Sequence, residues 1–464
     1  MAVADELRAA LTTEQVRTGP ADLAAVAQDG SHLIGAPDVV VYPTSAAEVA
    51  AILRIASSSG TPVVPRGGGT SLAASTVPNR GGIVIATNRM RAIIELDPIE
   101  RSALVQPGIA NAALDRAARA VSLRYAPDPS SRAVSTIGGN VGTNAGGLHC
   151  LGHGVTGDHV LGLEVALSTG EICWLDDQAL PDLRALVVGG EGQLAVVTAV
   201  LCRLLPLAEH TGMVIAAFPG LAQAGAAAER LVLDAPGLVA CEFIDRHMLD
   251  ALAESAPGSL PGGVDAVLII EVEALNQGIG EAISTVQRCV EGAGGTTEIR
   301  LDEATQAQAW DARRGAAAAL GRLYPDSYTH DFATPRDRIV ESLQLSAVIA
   351  ERHGLVLSSV AHLGDGNLHP RLHYDATDPA AFGRAMAASD ELLEVILANG
   401  GTLTGEHGIG LEKLGALGRQ YGELELAAMR AVRAAFDPSA ILNPGKTLPD
   451  PGFDASKGMY AAVS

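Results

Sequence analysis

At 464 residues the chain is too long for one ordinary hydrophobic core, so two domains are expected. A hydrophobic content of 48% with 52 glycines describes a globular protein, and with aromatics at 3% its cores must be built from Ala, Val, Leu and Ile. The formal charge of −21 argues against nucleic acid and anionic membrane surfaces as partners and reads as a soluble acidic surface.

The cysteines (Cys150, Cys173, Cys202, Cys241 and Cys289) are odd in number and form no CxxC. No signal peptide is read at the start, because MAVADELRAA carries acids where the apolar core of a signal belongs. No apolar run is long enough to span a bilayer. The expectation is a reduced, cytoplasmic protein whose thiols are buried packing, with no cysteine set for an iron–sulfur cluster.

The first thirty residues read as an amphipathic helix and linker. Residues 37–205 alternate short β-rich runs (VVVYP, TPVVP, GGIVIAT, VLGLEVAL, LAVVTAVLCRLL) with alanine-rich helical stretches, a glycine-punctuated α+β or α/β pattern. Within it, PRGGGTS (Pro65–Ser71) follows a strand; its glycines leave backbone N–H groups unshielded, able to cradle a diphosphate or simply to turn tightly. It is neither a GxGxxG fingerprint nor a Walker loop. Between Tyr125 and Gly154 a longer stretch alternates Gly138, Gly139, Gly142, Gly146 and Gly147 with Asn140, Thr143 and Asn144, which suits a long polar cofactor held by main chain. A third glycine loop, GGEGQLAVVTAV (Gly189–Val200), stands directly before a strand.

A second pattern opens between Leu204 and Ala216. Its order of strand, helix, strand, strand, helix suggests a ferredoxin-like antiparallel sheet with helices on one face, running to about residue 400. Here His362–His369 reads HLGDGNLH, its Asp-Gly pair being a hairpin signal. A reversal there makes His362 and His369 directly opposed cross-strand neighbours, with Cβ atoms roughly 5 Å apart. Two imidazoles so placed can share a metal, or be the satisfied side chains of a loop. GTLTGEHGIGLEK (Gly401–Lys413) adds an adjacent acid and imidazole bracketed by glycines, with Glu406 as a third ligand, His407 as a base beside the metal, and a helical stretch from near Glu412. The tail around FDPSAILNPGK is expected to return to the first domain. No internal repeat is visible.

Taken together, PRGGGTS, PDPSS…TIGGNVGTNAGGLHC, GVTGDHVLGLEVALSTGE, GEGQLAVVT, HLGDGNLH, GEHGIGLEK and FDPSAILNPGK resemble the flavoprotein family that includes vanillyl-alcohol oxidase. Within it they look most like the FAD-linked D-2-hydroxyacid dehydrogenases: glycolate oxidase catalytic subunits, D-lactate dehydrogenases and D-2-hydroxyglutarate dehydrogenases. The resemblance implies an α+β protein with a two-lobed FAD-binding domain (1–205), a ferredoxin-like cap carrying substrate and metal (206–415), and a C-terminal segment rejoining the FAD domain (416–464). It assigns Pro65, Arg66, Gly67, Gly68, Gly69, Thr70 and Ser71 to the FAD diphosphate. It assigns Pro127, Ile137, Gly138, Gly139, Asn140, Thr143, Asn144 and Gly146 to the isoalloxazine and ribityl region. Glu191, Gly192 and Val196 fall to the adenine side, and Asn443 to closure over the flavin. Residues 65–71 contain no histidine, so FAD is expected to be held non-covalently. His362, His369 and Glu406 match the metal ligands and His407 the catalytic base; zinc is favoured, with manganese and iron as alternatives.

The implied chemistry is metal-assisted deprotonation of a D-2-hydroxyacid hydroxyl by His407, with hydride passing to flavin. Arg313, in WDARRGA, is expected to hold the substrate carboxylate, its bland alternative being a surface helix arginine. Three departures stand out. Relatives that take 2-hydroxyglutarate have a lysine where YTHD places Thr329, which favours a monocarboxylate such as D-lactate or glycolate. Arg371 shares a strand face with His369 and could bind a second carboxylate, or sit on the rim beside Asp375, so larger or dicarboxylic acids such as D-2-hydroxyglutarate or D-malate stay as the alternative. His153 stands where relatives have a tyrosine near the flavin, leaving oxidase against dehydrogenase behaviour open. A non-catalytic subunit of a glycolate oxidase-like complex is the distant alternative. Electrons are expected to leave to a separate electron-transfer protein, a quinone or oxygen, and a homodimer is the default assembly.

Overall fold

The computed structural model describes residues 3–178, 181–275, 278–324 and 326–449. The chain divides into two compact units. One comprises Met1–Gly147, Gly154–Leu207 and Glu406–Ser464; the other comprises Leu148–His153 and Ala208–Gly405.

The first unit has two sheets. In one, β1 (Val16–Arg17), β2 (Val39–Val41), β3 (Val63–Arg66) and β4 (Ile83–Ala86) lie in the order β1-β2-β4-β3, with β2, β4 and β3 parallel. β2 and β4 are continuous Val/Ile/Ala runs buried along their whole length, as strands covered on both faces must be. The helix Ala46–Ser59 connects β2 to β3. Ser45 caps its start by accepting the Glu48 N–H, and Gly60 ends it with φ 65°, a left-handed turn that costs glycine little. The other sheet comes from β5 (Ile93–Asp97), β6 (Ser102–Val105), β8 (Val160–Ala166), β9 (Ile172–Asp176) and β10 (Val196–Arg203), in the order β5-β6-β10-β8-β9. Short β7 (Leu123–Arg124) and β11 (Leu205–Pro206) form a separate pair.

The second unit is built on one antiparallel sheet. Its strands are β12 (His210–Phe218), β13 (Leu238–Asp245), β14 (Ala266–Ala274), β15 (Thr296–Arg300), β16 (Asp326–Thr329), β17 (Phe332–Ala333), β18 (Val356–His362) and β19 (Asn367–Tyr374). The order is β15-β12-β14-β13-β18-β19-β16, with β17 on β19. The first four strands, with helices Leu221–Asp234 and Ile279–Gly292, make the expected ferredoxin-like arrangement. β16, helix Ile339–Arg352, β18, β19 and helix Pro379–Ala398 then repeat the strand-helix-strand-strand-helix order. The topology therefore repeats although the sequence does not, because each half needs only alternating apolar strands and a covering helix. The halves join edge to edge where β13 pairs β18, Glu242 standing opposite His362.

The helix Arg246–Ser255, between β13 and β14, is absent from the sequence expectation. It and the helix Glu303–Leu323 cover the sheet face that carries Met213, Ile215, Ala240 and Ile269. The stretch after GEHG is also less helical than expected near Glu412: Leu414–Ala416 is a 3-10 turn, and the long helix begins at Glu423. Among the described residues no helix is long and apolar enough to cross a membrane.

Asp245 explains why a helix starts directly off β13. Its carboxylate accepts the Met248 N–H at 2.9 Å as an N-cap and also takes the Ser359 N–H of β18 at 2.5 Å. Asp245→Ala should remove the cap and leave a strand N–H without its acceptor, costing about 2–4 kcal/mol. Urea midpoints of purified protein check this; a loss below about 0.5 kcal/mol contradicts it.

Candidate functional site

In the first unit, the three glycine-rich elements converge on one cavity. Pro65, Arg66 and Gly67 line it from the end of β3, Gly138, Gly139, Gly142 and Thr143 from the helix Ile137–Thr143, and Glu191, Gly192 and Val196 from the loop into β10. Thr136 starts that helix by accepting the Gly139 N–H. A Cβ on Gly67 would lie 2.2 Å from the Thr136 hydroxyl, and one on Gly68 2.4 Å from the Val134 carbonyl, so glycine here is what lets loop and helix approach. Thr87, Pro107, Ser75, Thr76, Val187, Ala195 and Val197 complete the lining. Of these only Ala195 and Val197 lie in a quoted motif, GEGQLAVVT; the others are ordinary residues with none to reveal them.

Other expected cofactor residues are not among those lining the cavity. Gly69 turns with φ 67° beneath the Arg66 guanidinium, and the Ser71 hydroxyl accepts the Ala73 and Ser75 N–H groups. Ile137 and Asn140 are buried, the Pro127 carbonyl accepts from Asn111, and the Asn144 side chain accepts the Gly157 N–H at 2.7 Å. Asn443 donates to the Ser75 and Glu191 carbonyls.

Glu191 is the organiser of this unit. Its buried carboxylate accepts from the Ser75 hydroxyl at 2.5 Å and from the Ile409 and Gly410 N–H groups at 2.9 Å each. Burial raises its pKa while these donors pull it back. Nearby Lys446 is fully buried, donates to Asn443 Oδ1, and is pulled down by burial to about 7. The backbone of GEHGIG is thus clamped onto the cavity wall. Gly408 (φ 88°) and Gly410 (φ 53°) adopt left-handed conformations, and a Cβ on Gly410 would lie 1.8 Å from the Ala73 carbonyl. Because of this clamp, residues 406–415, expected in the cap, group with the first unit.

In the second unit the histidines meet, but not in the expected register. Leu363–Gly366 make a four-residue turn, with the Asp365 and Gly366 N–H groups donating to the His362 carbonyl and Gly366 at φ 87°. His362 therefore opposes Asn367, and His369 opposes Val360. The expectation of directly opposed histidines is corrected to a diagonal pair on one face. Their rings still lie 5.2 Å apart, mutually perpendicular.

Each imidazole is anchored through Nδ1. His362 Nδ1 meets Glu242 Oε1 at 2.5 Å, and His369 Nδ1 lies 3.4 Å from the His330 carbonyl. Holding one ring nitrogen with an oxygen acceptor is how proteins orient metal-ligating histidines. The ligand atoms of His362 and His369 lie within 4.8 Å of each other, and Asp331 brings a buried carboxylate within the same distance of His369. Thr404 donates to Asp331 at 2.7 Å, and Thr402 pairs with Ala333. The strap ending at Gly405 is thereby tied to this unit, and Glu406 and His407 follow it along the chain.

Arg313 is no surface arginine. It is buried on the helix Glu303–Leu323, and its Nη2 lies 2.8 Å from Glu242 Oε2, while its Nε has no hydrogen-bond partner among the described residues. Trp310, one turn earlier, donates to Glu271 at 2.7 Å. Arg371 does not pair with Asp375, whose carboxylate caps Thr377. His153 belongs to the second unit, its Nε2 lying 3.3 Å from Glu273 Oε1. Glu242 and Asp331 were missed by sequence reasoning. For Glu242 the available signal was a lone acid in LVACEFID, a strand that is otherwise nearly all buried and apolar.

Two family models match the chain: "FAD binding domain" over residues 37–176 and "FAD linked oxidases, C-terminal domain" over residues 207–447. Glycolate oxidase subunit GlcD of Escherichia coli (strain K12) is 37% identical over 421 residues, covering 89% of this chain and 84% of the relative. D-2-hydroxyglutarate dehydrogenase of Stutzerimonas stutzeri (strain A1501) is 30% identical over 459 residues, covering 96% and 98%. Among solved structures, p-cresol methylhydroxylase with substrate bound superimposes with a TM-score of 0.81 over 97% of each chain; at 17% identity this likeness concerns the fold.

Glu242 counters a buried guanidinium and holds a buried imidazole at once. Glu242→Ala should therefore destabilise the protein by roughly 3–5 kcal/mol, read as a shift in the urea midpoint. A loss under about 1 kcal/mol would mean that the pair is not formed in solution.

Proposed function

The chain belongs to the FAD-linked oxidases, and from that premise we propose that it oxidises a D-2-hydroxyacid to the 2-oxoacid, using FAD and a divalent metal. The observation that carries the reading is the pair of perpendicular imidazoles on one hairpin face, each held at Nδ1, with ligand atoms within 4.8 Å of each other. His362, His369 and Glu406 would hold the metal, with zinc favoured and manganese or iron as alternatives. Such a metal supplies Lewis acidity toward the substrate hydroxyl and carboxylate. The histidines fit this use, because Glu242 and the His330 carbonyl fix the tautomers that ligation requires.

The first unit's cavity fits FAD: its walls are glycine backbone held too close for side chains, as a diphosphate cradle needs. Held there without a covalent link, FAD would supply the two-electron acceptor for the substrate's hydride. His407 would take the hydroxyl proton, and its place along the chain is set by the Glu191 clamp on Ile409 and Gly410. Arg313 would place an N–H toward the substrate carboxylate while its Nη2 stays on Glu242.

Glycolate and D-lactate are the favoured substrates, Thr329 leaving no lysine at that position. The dicarboxylic acids are the second reading, favoured by the half-buried Arg371. Electrons would pass to a separate electron-transfer protein, a quinone or oxygen, and a homodimer is the default assembly. No disulfide joins the five cysteines, which supports a cytoplasmic setting.

Anaerobic addition of D-lactate, glycolate, D-malate or D-2-hydroxyglutarate should bleach the visible flavin absorbance of purified protein for at least one acid, and prior chelation should abolish it. Bleaching that survives chelation would reduce His362, His369 and Glu406 to structural residues. Protein purified without flavin would sink the reading.

A further inference from the structure

We infer that Glu271 is a positioning residue of the hydroxyacid site: through Trp310 it fixes the register of the helix Glu303–Leu323 on the sheet, and so the place of Arg313. The inference rests on the reading of Arg313 given above and extends it to a residue that no motif marks.

The apolar buried stripe of this helix is Ala309, Ala312, Ala316, Ala319 and Leu320. Alanine side chains are short and interdigitate little, so packing presses the helix onto the sheet but specifies its sliding and rotation weakly. Polar contacts supply what packing does not. Gln306 ties the first turns to the Thr211 hydroxyl and the Arg300 carbonyl. Trp310 donates to Glu271 Oε2 at 2.7 Å, and Arg313 Nη2 meets Glu242 Oε2 at 2.8 Å. Three residues apart, Trp310 and Arg313 are neighbours on one helix face. Their acids stand on neighbouring strands, Glu271 of β14 opposite Ala240 and Glu242 of β13 opposite Ile269. Alternation places both carboxylates on one sheet face, among Met213, Ile215, Ala240 and Ile269. When a substrate carboxylate draws on the Arg313 guanidinium, the Trp310–Glu271 bond is the nearest fixed point on the helix.

Glu271 is itself held from a second side. Its Oε1 lies 3.4 Å from His149 Nε2, and the His149 ring is T-shaped to the Trp310 indole, with centroids 5.1 Å apart. Carboxylate, indole and imidazole therefore close a triangle. The place of His149 is set by its neighbours in the chain. Leu148 enters the same core cluster as Trp310, and Gly152 lies so close to β13 that a Cβ there would fall 2.7 Å from Val239. A buried carboxylate with a partner on each oxygen is a rigid anchor for the indole.

The carboxylate that Arg313 would hold is present in ground and transition states alike, so a misplaced Arg313 should act on KM more than on kcat. The assay uses whichever of D-lactate, glycolate, D-malate and D-2-hydroxyglutarate wild type oxidises best. Glu271→Leu and Trp310→Phe should each raise its KM about 10- to 100-fold with flavin content kept. Glu271→Gln, whose amide oxygen can still accept the indole N–H, should recover most of the loss. The two variants combined should cost no more than either alone, because both break one contact. A second readout needs no turnover. In a Trp174→Phe background Trp310 is the one remaining tryptophan, and Glu271→Leu should move its emission to shorter wavelength, because a carboxylate beside the indole N–H stabilises the excited state. A KM within about twofold of wild type in Glu271→Leu or, should that variant not fold, in Trp310→Phe would overturn the assignment. So would losses that multiply in the combined variant, or an emission that does not move. Wild-type flavin that no hydroxyacid bleaches would remove the reading of Arg313 and this assignment with it, even where the emission shift shows the Trp310–Glu271 contact formed.

Discussion

A single buried carboxylate, Glu242, decides what the second unit can do. It lies where the two halves of the sheet join, with an imidazole on one oxygen and a guanidinium on the other. One oxygen is hydrogen-bonded to His362 and the other is ion-paired with Arg313, so the buried charge is countered. The consequences run outward: His362 is held at Nδ1, and Arg313 is held on the other carboxylate oxygen. Asp245, at the end of the same strand, starts the helix Arg246–Ser255, and the hairpin β18–β19 supplies the second histidine. The site exists because two ferredoxin-like halves meet at an edge that carries an acid.

The first unit has a comparable centre in Glu191. One carboxylate gathers Ser75 from the region after the first glycine loop and Ile409 and Gly410 from the returning segment, while its own backbone carbonyl receives Asn443. The glycines of GEHGIG are there so that backbone can reach this acid. The cavity wall and the GEHGIG segment are therefore one hydrogen-bonded assembly, and damage to either should disturb the other.

Much of this was legible in the sequence, and what was not has a physical reason. Glycine-rich loops and paired histidines read easily because backbone approach and metal-type side chains leave few alternatives. The hairpin register read wrongly: Asp365-Gly366 signals a two-residue turn, but the chain closes over Leu363–Gly366 and moves His369 two residues along its partner strand. Diagonal and direct neighbours share a face, so the pairing of histidines survived the error. The Glu242–Arg313 pair was illegible because no local pattern links a strand acid to a distant helix cation. Glu191 read as a cofactor contact and does line the cavity, but its clamp on the Ile409 and Gly410 N–H groups was illegible, since a motif shows which residue is needed and not which atoms it serves. The repeated sheet topology left no trace because alternation can be met by many sequences.

The most direct test of the account is metal content set beside flavin content in the same purified protein, by mass spectrometry and absorbance, for wild type and for His362→Ala with His369→Ala. The account predicts roughly one divalent metal and one FAD per wild-type chain. In the double variant the metal should be lost while flavin is kept, because the residues lining the cavity proposed for FAD all belong to the first unit. Wild-type protein that oxidises a D-2-hydroxyacid while carrying flavin and no metal would contradict it.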